Sequence, residues 1–151
     1  GLYAAHEAPE CVRTLVTLGS PVSVDPGGGA TAPLVRALYR LIAHPMGPDA
    51  HALQPRAKKL RGRPPVPTSC LYSLGDGVVP PQEATIDGDP ALHENVRVPG
   101  SHVGLGFNAL VLWVIADRLA QPEGQWRPYS PSGVAGAIHR LLAPAPAPAV
   151  A

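Results

Sequence analysis

Short apolar runs alternate with longer mixed segments along this chain, and the alternation predicts strands separated by helices. Three runs rich in apolar and β-branched residues, bounded by Gly, Pro or Asp, predict strands at residues 11–18, 68–74 and 95–98. The mostly apolar first run is typical of a strand that is buried on both faces of a parallel sheet. Strands that alternate with helical segments predict βαβ units, so the expected fold class is α/β.

Apolar residues at helical spacing occupy the segments around these strands. They predict helices at residues 1–8, 32–43, 108–120 and 132–143, with Thr31 as the N-cap of the second. The first helix has no N-cap residue before it, which leads us to expect further sequence upstream of Gly1. Irregular structure is expected at residues 44–67, and an extended Pro/Ala tail at residues 144–151.

Length and composition fit one loop-rich domain rather than a disordered chain. The 151 residues are 45% hydrophobic, which is enough to form a core, and they include 20 Pro and 16 Gly. We place the domain at residues 1–129 and assign residues 130–151 to a short helix and the tail. The net charge of +1 argues against a nucleic-acid-binding protein, because such proteins carry a strongly basic domain.

The sequence also bears on membrane, disulfide and metal chemistry. The longest apolar window, residues 105–119, is interrupted by charged and amide side chains, so no transmembrane segment is expected. Cys11 and Cys70 are both expected to be small buried side chains rather than a disulfide scaffold. The histidines lack ligand spacing, so no metal or cofactor is expected. We therefore expect a soluble chain, with the cytoplasm as its assumed location.

Two polar side chains follow predicted strands, at the positions where α/β sheets collect their functional groups. Asp76 comes directly after strand 68–74, and His102 follows strand 95–98. A carboxylate there can fix the tautomer of an imidazole and stabilise its protonated form, so that the imidazole acts as a general base. Two simpler interpretations stay open: Asp76 forms an ordinary Asp-Gly turn, and His102 is a loop histidine.

Several pieces of the sequence resemble the carboxyl-terminal half of α/β-hydrolase-fold esterases and lipases. They read LYSLGDGVV (71–79), ENVRV (94–98), GSHVGL (100–105) and IADRLAQPEGQW (115–126). The opening GLYA is similar to the helix that follows the family's nucleophile elbow, and residues 12–21 are similar to its next strand. The resemblance covers about residues 1–129, and its pieces occur in the family's order.

The resemblance implies a serine ester hydrolase of which this chain is the carboxyl-terminal part. The family's triad runs in the order Ser, then Asp or Glu, then His, which implies Asp76 as the acid and His102 as the base. The family's serine lies in a G-x-S-x-G turn, which would fall upstream of Gly1, and its oxyanion hole would be incomplete without that segment. The chain alone is therefore expected to be inactive. Its implied partners are the preceding segment of the same domain and a small-molecule or lipid ester substrate.

The same resemblance would make the predicted strands the last three of a larger parallel sheet. Strand 11–18 would then have an open edge, and the isolated chain is expected to be marginally stable. A non-catalytic hydrolase-like module that binds or assembles through this edge is the main alternative function. Ser20, Ser73 and Ser101 are the internal serines considered as a substitute nucleophile, and the chain contains no G-x-S-x-G turn.

A basic run at residues 56–63 is the remaining candidate for function. It lacks interleaved aromatic residues, so we interpret it as a solvated loop. In the resembling hydrolases this region flanks the substrate pocket. Binding of nucleic acid or another anionic surface through it is the weaker alternative.

Overall fold

A computed structural model describes residues 1–23 and 63–143 of the chain. Within them, β1 (Leu15–Leu18), β2 (Thr68–Tyr72) and β3 (His93–Arg97) form one parallel sheet in the order β1–β2–β3. The helices are α1 (Leu2–Glu7), α2 (Pro81–Ala84), α3 (Ala109–Leu119) and α4 (Gly133–Leu142). These elements confirm the α/β class. The helix predicted at residues 32–43, most of segment 44–67 and the Pro/Ala tail lie outside the described residues.

The first strand is shorter than the sequence predicts, because a 3-10 turn occupies its expected start. Pro9 opens this turn, in which the amide of Cys11 donates to Ala8 and the amide of Val12 donates to Pro9. The turn ends at Cys11, and β1 begins at Leu15, whose amide donates to the carbonyl of Pro67 at 2.8 Å. The prediction of a buried Cys11 was wrong for the same reason, since its side chain is exposed on this turn.

Apolar side chains cover both faces of the sheet. On one face, α3 contributes Val111 and Val114 to a buried cluster with Leu71, Val96 and Val98. On the opposite face, a smaller cluster joins residues of α1, β1 and the segment before β2: Ala5, Leu15 and Val66. Full burial of a side chain such as leucine stabilises the fold by about 1.5–3 kcal/mol, so these clusters hold the helices on the sheet.

Helix α3 runs antiparallel to the strands, and polar contacts fix both of its ends. At its start, the Asn108 side chain accepts from the amide of Leu110 at 2.9 Å and donates to the carbonyl of Pro99 at 2.8 Å. Near its end, buried Arg118 forms an ion pair with Glu94 at 3.0 Å. The helix therefore begins beside the loop after β3 and ends beside the start of that strand.

The ion pair is part of a buried polar network at the amino ends of the strands. Ser69 donates to Glu94 at 2.5 Å, and the amide of Tyr129 donates to the other carboxylate oxygen. The Arg118 guanidinium also contacts Asp117 and lies over the Tyr129 ring, 5.3 Å from its centre. β3 begins at His93, two residues before the strand predicted from apolar residues alone. Both added residues are polar but satisfied: Glu94 belongs to this network, and the His93 ring bonds to the carbonyl of Pro64 at 2.9 Å.

Candidate acid–base site at the carboxyl edge of the sheet

The loops that follow the three strands meet at one edge of the sheet. Gly19 follows β1 and donates its amide to the carbonyl of Leu71 at 2.8 Å. Asp76 follows β2, and His102 follows β3. A Cβ atom placed on Gly19 would lie 2.6 Å from the Asp76 carboxylate and 3.3 Å from His102 Nδ1. The parallel arrangement therefore brings together the two residues that the sequence singled out, with the first loop packed against both.

Asp76 and His102 form a hydrogen-bonded pair, which we call the dyad. Their Nδ1 and Oδ2 atoms are 2.8 Å apart. An ionised carboxylate can only accept a hydrogen bond, so the imidazole proton belongs on Nδ1. The Asp76 side chain is 1% exposed and that of His102 is 34% exposed. A buried carboxylate thus orients a partly exposed imidazole.

The second oxygen of the Asp76 carboxylate is held within its own turn. Oδ1 accepts from the amides of Val78 at 2.8 Å and Val79 at 2.9 Å. Burial raises the pKa of Asp76, but the hydrogen bonds from Val79, His102 and Val78 outweigh it, and the pKa lies below its ordinary value. Asp76 is therefore ionised at neutral pH, as the donor role of His102 Nδ1 requires.

His102 stands at the start of a 3-10 segment, Val103–Phe107, which turns the chain toward α3. Leu105 of this segment is buried in the core and anchors the loop. Val103 and Phe107 are 76% and 85% exposed. No hydrogen bond joins Nε2 of His102 to residues 1–23 or 63–143, so this nitrogen can accept a proton from a group that approaches the edge.

The three serines considered as internal nucleophiles all have other hydrogen-bond partners. Ser20 donates to the carbonyl of Leu18, Ser73 donates to that of Gly100, and Ser101 accepts from the amide of Gly104. Within the described residues, no serine hydroxyl is bonded to His102. The dyad has therefore no serine partner in this part of the chain.

A separate apolar groove lies between α3 and α4 and has a volume of about 480 Å³. Trp113 lines it from α3, Val134 and Ile138 line it from α4, and Pro99 also contributes to its wall. Neither member of the dyad lines this groove. Binding of a substrate in this groove would therefore not by itself bring it into contact with the dyad.

The remaining candidate chemistry of the sequence lies elsewhere. Cys70 is fully buried, as expected, and burial raises the pKa of its thiol. Residues 1–23 and 63–143 contain no group of three or more His, Cys, Asp or Glu side chains suited to a metal ion. Of the basic run at residues 56–63, only Arg63 is described, in an exposed pair with Asp87 at 3.6 Å.

In the described part of the chain, no helix has the length and apolar character needed to cross a membrane.

Two residues at the site were not singled out as part of it by sequence reasoning. Gly19 was interpreted only as the end of a strand, although its close approach to the dyad requires the absence of a side chain. Ser73 was considered only as a nucleophile, whereas its hydroxyl joins the loops after β2 and β3. The only sequence signal for Gly19 was its position directly after the first strand. That position alone does not indicate contact with Asp76 and His102.

Comparisons of this chain with protein-family models, with curated proteins and with solved structures found no match. The class that the described residues define is accordingly an α/β protein with a three-stranded parallel sheet. Its candidate site is the Asp76–His102 dyad at the carboxyl edge of that sheet.

Proposed function

We propose that this chain carries the acid–base part of a serine ester hydrolase with the α/β-hydrolase fold. The observation that supports the proposal is the 2.8 Å hydrogen bond between His102 Nδ1 and the buried Asp76 carboxylate, which also accepts hydrogen bonds from two backbone amides. In this mechanism Nε2 of His102 takes the proton of a serine hydroxyl as that oxygen attacks the ester carbonyl. Asp76 stabilises the resulting imidazolium, which then donates the proton to the leaving alcohol.

The nucleophile in this proposal lies in sequence that precedes Gly1, as the family resemblance implies. Among the described residues, β1 pairs only with β2. A further parallel strand on its other side would end beside Gly19, because parallel strands align their carboxyl ends. A serine in the turn after that strand would approach the dyad from the side of the Gly19 loop. The substrate class is a small-molecule or lipid ester.

The test begins with the in-frame sequence upstream of the Gly1 codon, which is expected to encode a G-x-S-x-G turn. The protein that includes this segment is expected to hydrolyse a chromogenic short-chain ester, while residues 1–151 alone show no turnover. In the longer protein, Asp76→Asn is expected to lower kcat by about 10⁴-fold. His102→Ala is expected to lower it by about 10⁶-fold. Asp87→Asn is the matched control, since this carboxylate is fully exposed, and it should leave kcat unchanged.

Two results would contradict the proposal. One is an upstream frame without a serine elbow, and the other is a folded longer protein whose ester hydrolysis does not depend on His102. Turnover by residues 1–151 that is lost in His102→Ala would keep the dyad but place the nucleophile inside the chain.

A binding or assembly module is the second candidate, and the observation that favours it is the side of β1 that has no strand partner among residues 1–23 and 63–143. Such a module would add a partner strand to this edge, where main-chain hydrogen bonds supply the affinity. Its binding would survive His102→Ala and would not require an upstream serine. The amides of Leu15 and Gly19 donate to the β2 side, so the alternate amide of Val16 points to the opposite side. Proline at Val16 would remove that donor, so we expect Val16→Pro to abolish the complex while the sheet stays folded.

A further inference from the structure

Ser73 bridges the two turns that carry the dyad. Its hydroxyl donates to the carbonyl of Gly100 at 2.6 Å and accepts from the amide of Gly75 at 3.1 Å. Gly75 directly precedes Asp76 in the loop after β2, and Gly100 lies two residues before His102 in the loop after β3. Ser73 is 2% exposed, so water does not compete for these hydrogen bonds.

The backbones of the two turns approach each other closely at this point. A Cβ atom on Gly75 would lie 3.0 Å from the Gly100 carbonyl oxygen, and Gly100 itself has a φ of 138°, which only glycine adopts readily. The turns thus touch without side chains between them, and the Ser73 hydroxyl spans the contact. The bond to Gly100 fixes how far the second turn stands from the first, and the bond from Gly75 orients the hydroxyl within the first turn.

The dyad depends on that separation. The amides of Val78 and Val79 hold Asp76 in the turn after β2. His102 lies in the turn after β3, so the position of its ring follows that turn. A shift of the second turn relative to the first would therefore change the distance between Nδ1 and Oδ2.

We propose that Ser73 is a positioning residue of the dyad: its hydroxyl locks the turn of His102 against the turn of Asp76 and so sets the Nδ1–Oδ2 distance. The role in hydrolysis rests on the proposed function, but the positioning does not. Ser73 does not itself touch the reacting atoms in this proposal.

The test uses nuclear magnetic resonance on the full chain with ¹⁵N-labelled histidine. The Nδ1 proton of His102, bonded to the Asp76 carboxylate, is expected as a low-field resonance that disappears in Asp76→Asn. In Ser73→Ala this resonance should be lost or move upfield, and in Ser73→Thr, which keeps the hydroxyl, it should return. Its loss in both variants would contradict a role for the hydroxyl.

Ser69→Ala is the matched control. Ser69 is also a fully buried serine of the same chain segment, but it donates to Glu94 at the opposite end of the sheet. A purely structural role for Ser73 predicts that both alanine variants lose stability and both keep the low-field resonance. That result would overturn the proposal.

A third variant keeps the test decisive if Ser73→Ala does not fold. Ser73→Cys fills nearly the same space with a much weaker hydrogen-bond donor, so the same upfield movement is expected from it; an unmoved resonance would contradict the proposal. The readout requires no ester hydrolysis. If the protein proved not to hydrolyse esters, the resonance and its dependence on Ser73 would remain. Failure of the proposed function can therefore be distinguished from failure of the positioning role.

Discussion

Gly19 lies against both members of the dyad, and its replacement by alanine is expected to destabilise the fold for two separate reasons. Its φ is +50°, in the left-handed region, where a side chain costs roughly 1–2 kcal/mol. The added Cβ would also stand 2.6 Å from Asp76 Oδ2 and 3.0 Å from Leu105. Asp76 cannot move aside cheaply, because Val78, Val79 and His102 hold its carboxylate.

The expected magnitude follows from adding the two effects. Forcing one extra carbon into a packed site typically costs about 1–3 kcal/mol. Together with the backbone cost, Gly19→Ala should lower the free energy of unfolding by about 2–5 kcal/mol. The low-field resonance of His102 should move as well, because the displaced carboxylate carries the acceptor oxygen.

Two glycines of the same chain separate these effects. Gly124 has a φ of +71° with nothing within 4 Å of an added Cβ, so Gly124→Ala reports the backbone cost alone. Gly77 has neither a positive φ nor a close neighbour, so Gly77→Ala should change stability by less than about 0.5 kcal/mol. Urea unfolding followed by circular dichroism measures all three variants. If Gly19→Ala lowers the free energy of unfolding no more than Gly124→Ala does, the close contact with the dyad does not contribute to the loss. The reasoning would then be refuted.

Two further predictions concern groups far from the dyad. Burial lowers the pKa of His139, and a hydrogen bond to the Arg97 backbone only partly opposes this effect. The folded state thus binds its proton less readily than the unfolded chain, so stability should be full above about pH 6.5 and decrease as the pH falls through the lowered pKa. Thermal melts from pH 8 to 5 should show this loss, and His139→Gln should remove that part of it; an unchanged pH profile would refute the assignment. Separately, Arg118→Leu leaves the Glu94 carboxylate buried without its cation and should cost about 3–5 kcal/mol in urea unfolding, whereas Arg63→Leu, in an exposed pair, should cost less than about 1 kcal/mol. Equal effects of the two arginine variants would contradict the burial argument.

Local sequence patterns predicted most of the elements because those elements bury local apolar runs. β2 is centred on fully buried Cys70 and Leu71, and α3 presents Val111 and Val114 to the sheet at helical spacing. The start of β1 was misplaced because strand propensity does not register the 3-10 turn that Pro9 begins. Turn hydrogen bonds decide such boundaries, and composition alone does not reveal them.

The dyad was predictable from topology, whereas its supports were not. Parallel strands place their carboxyl ends at one edge, so Asp76 and His102 were expected to meet before any distance was known. The bond from Ser73 to Gly100 depends on how two loops settle against each other, and no local pattern encodes that separation. The ion pair of Glu94 and Arg118 was also not predictable, because charged residues are usually exposed and nothing in the sequence marks these two as buried.

The register between β2 and β3 makes the dyad a reporter of folding. In this register Leu71 pairs with Val96 and Tyr72 with Arg97. A slip of one residue would displace the loop of His102 by about 3.3 Å and turn the buried side chains of β3 to the wrong face. The bond to Asp76 can then form only after the last strand has found its correct partner. During refolding, we expect the helical signal to appear before the low-field His102 resonance, because non-local strand pairing forms more slowly than local helices. The interval between the two signals would then report how long correct pairing of β2 with β3 takes.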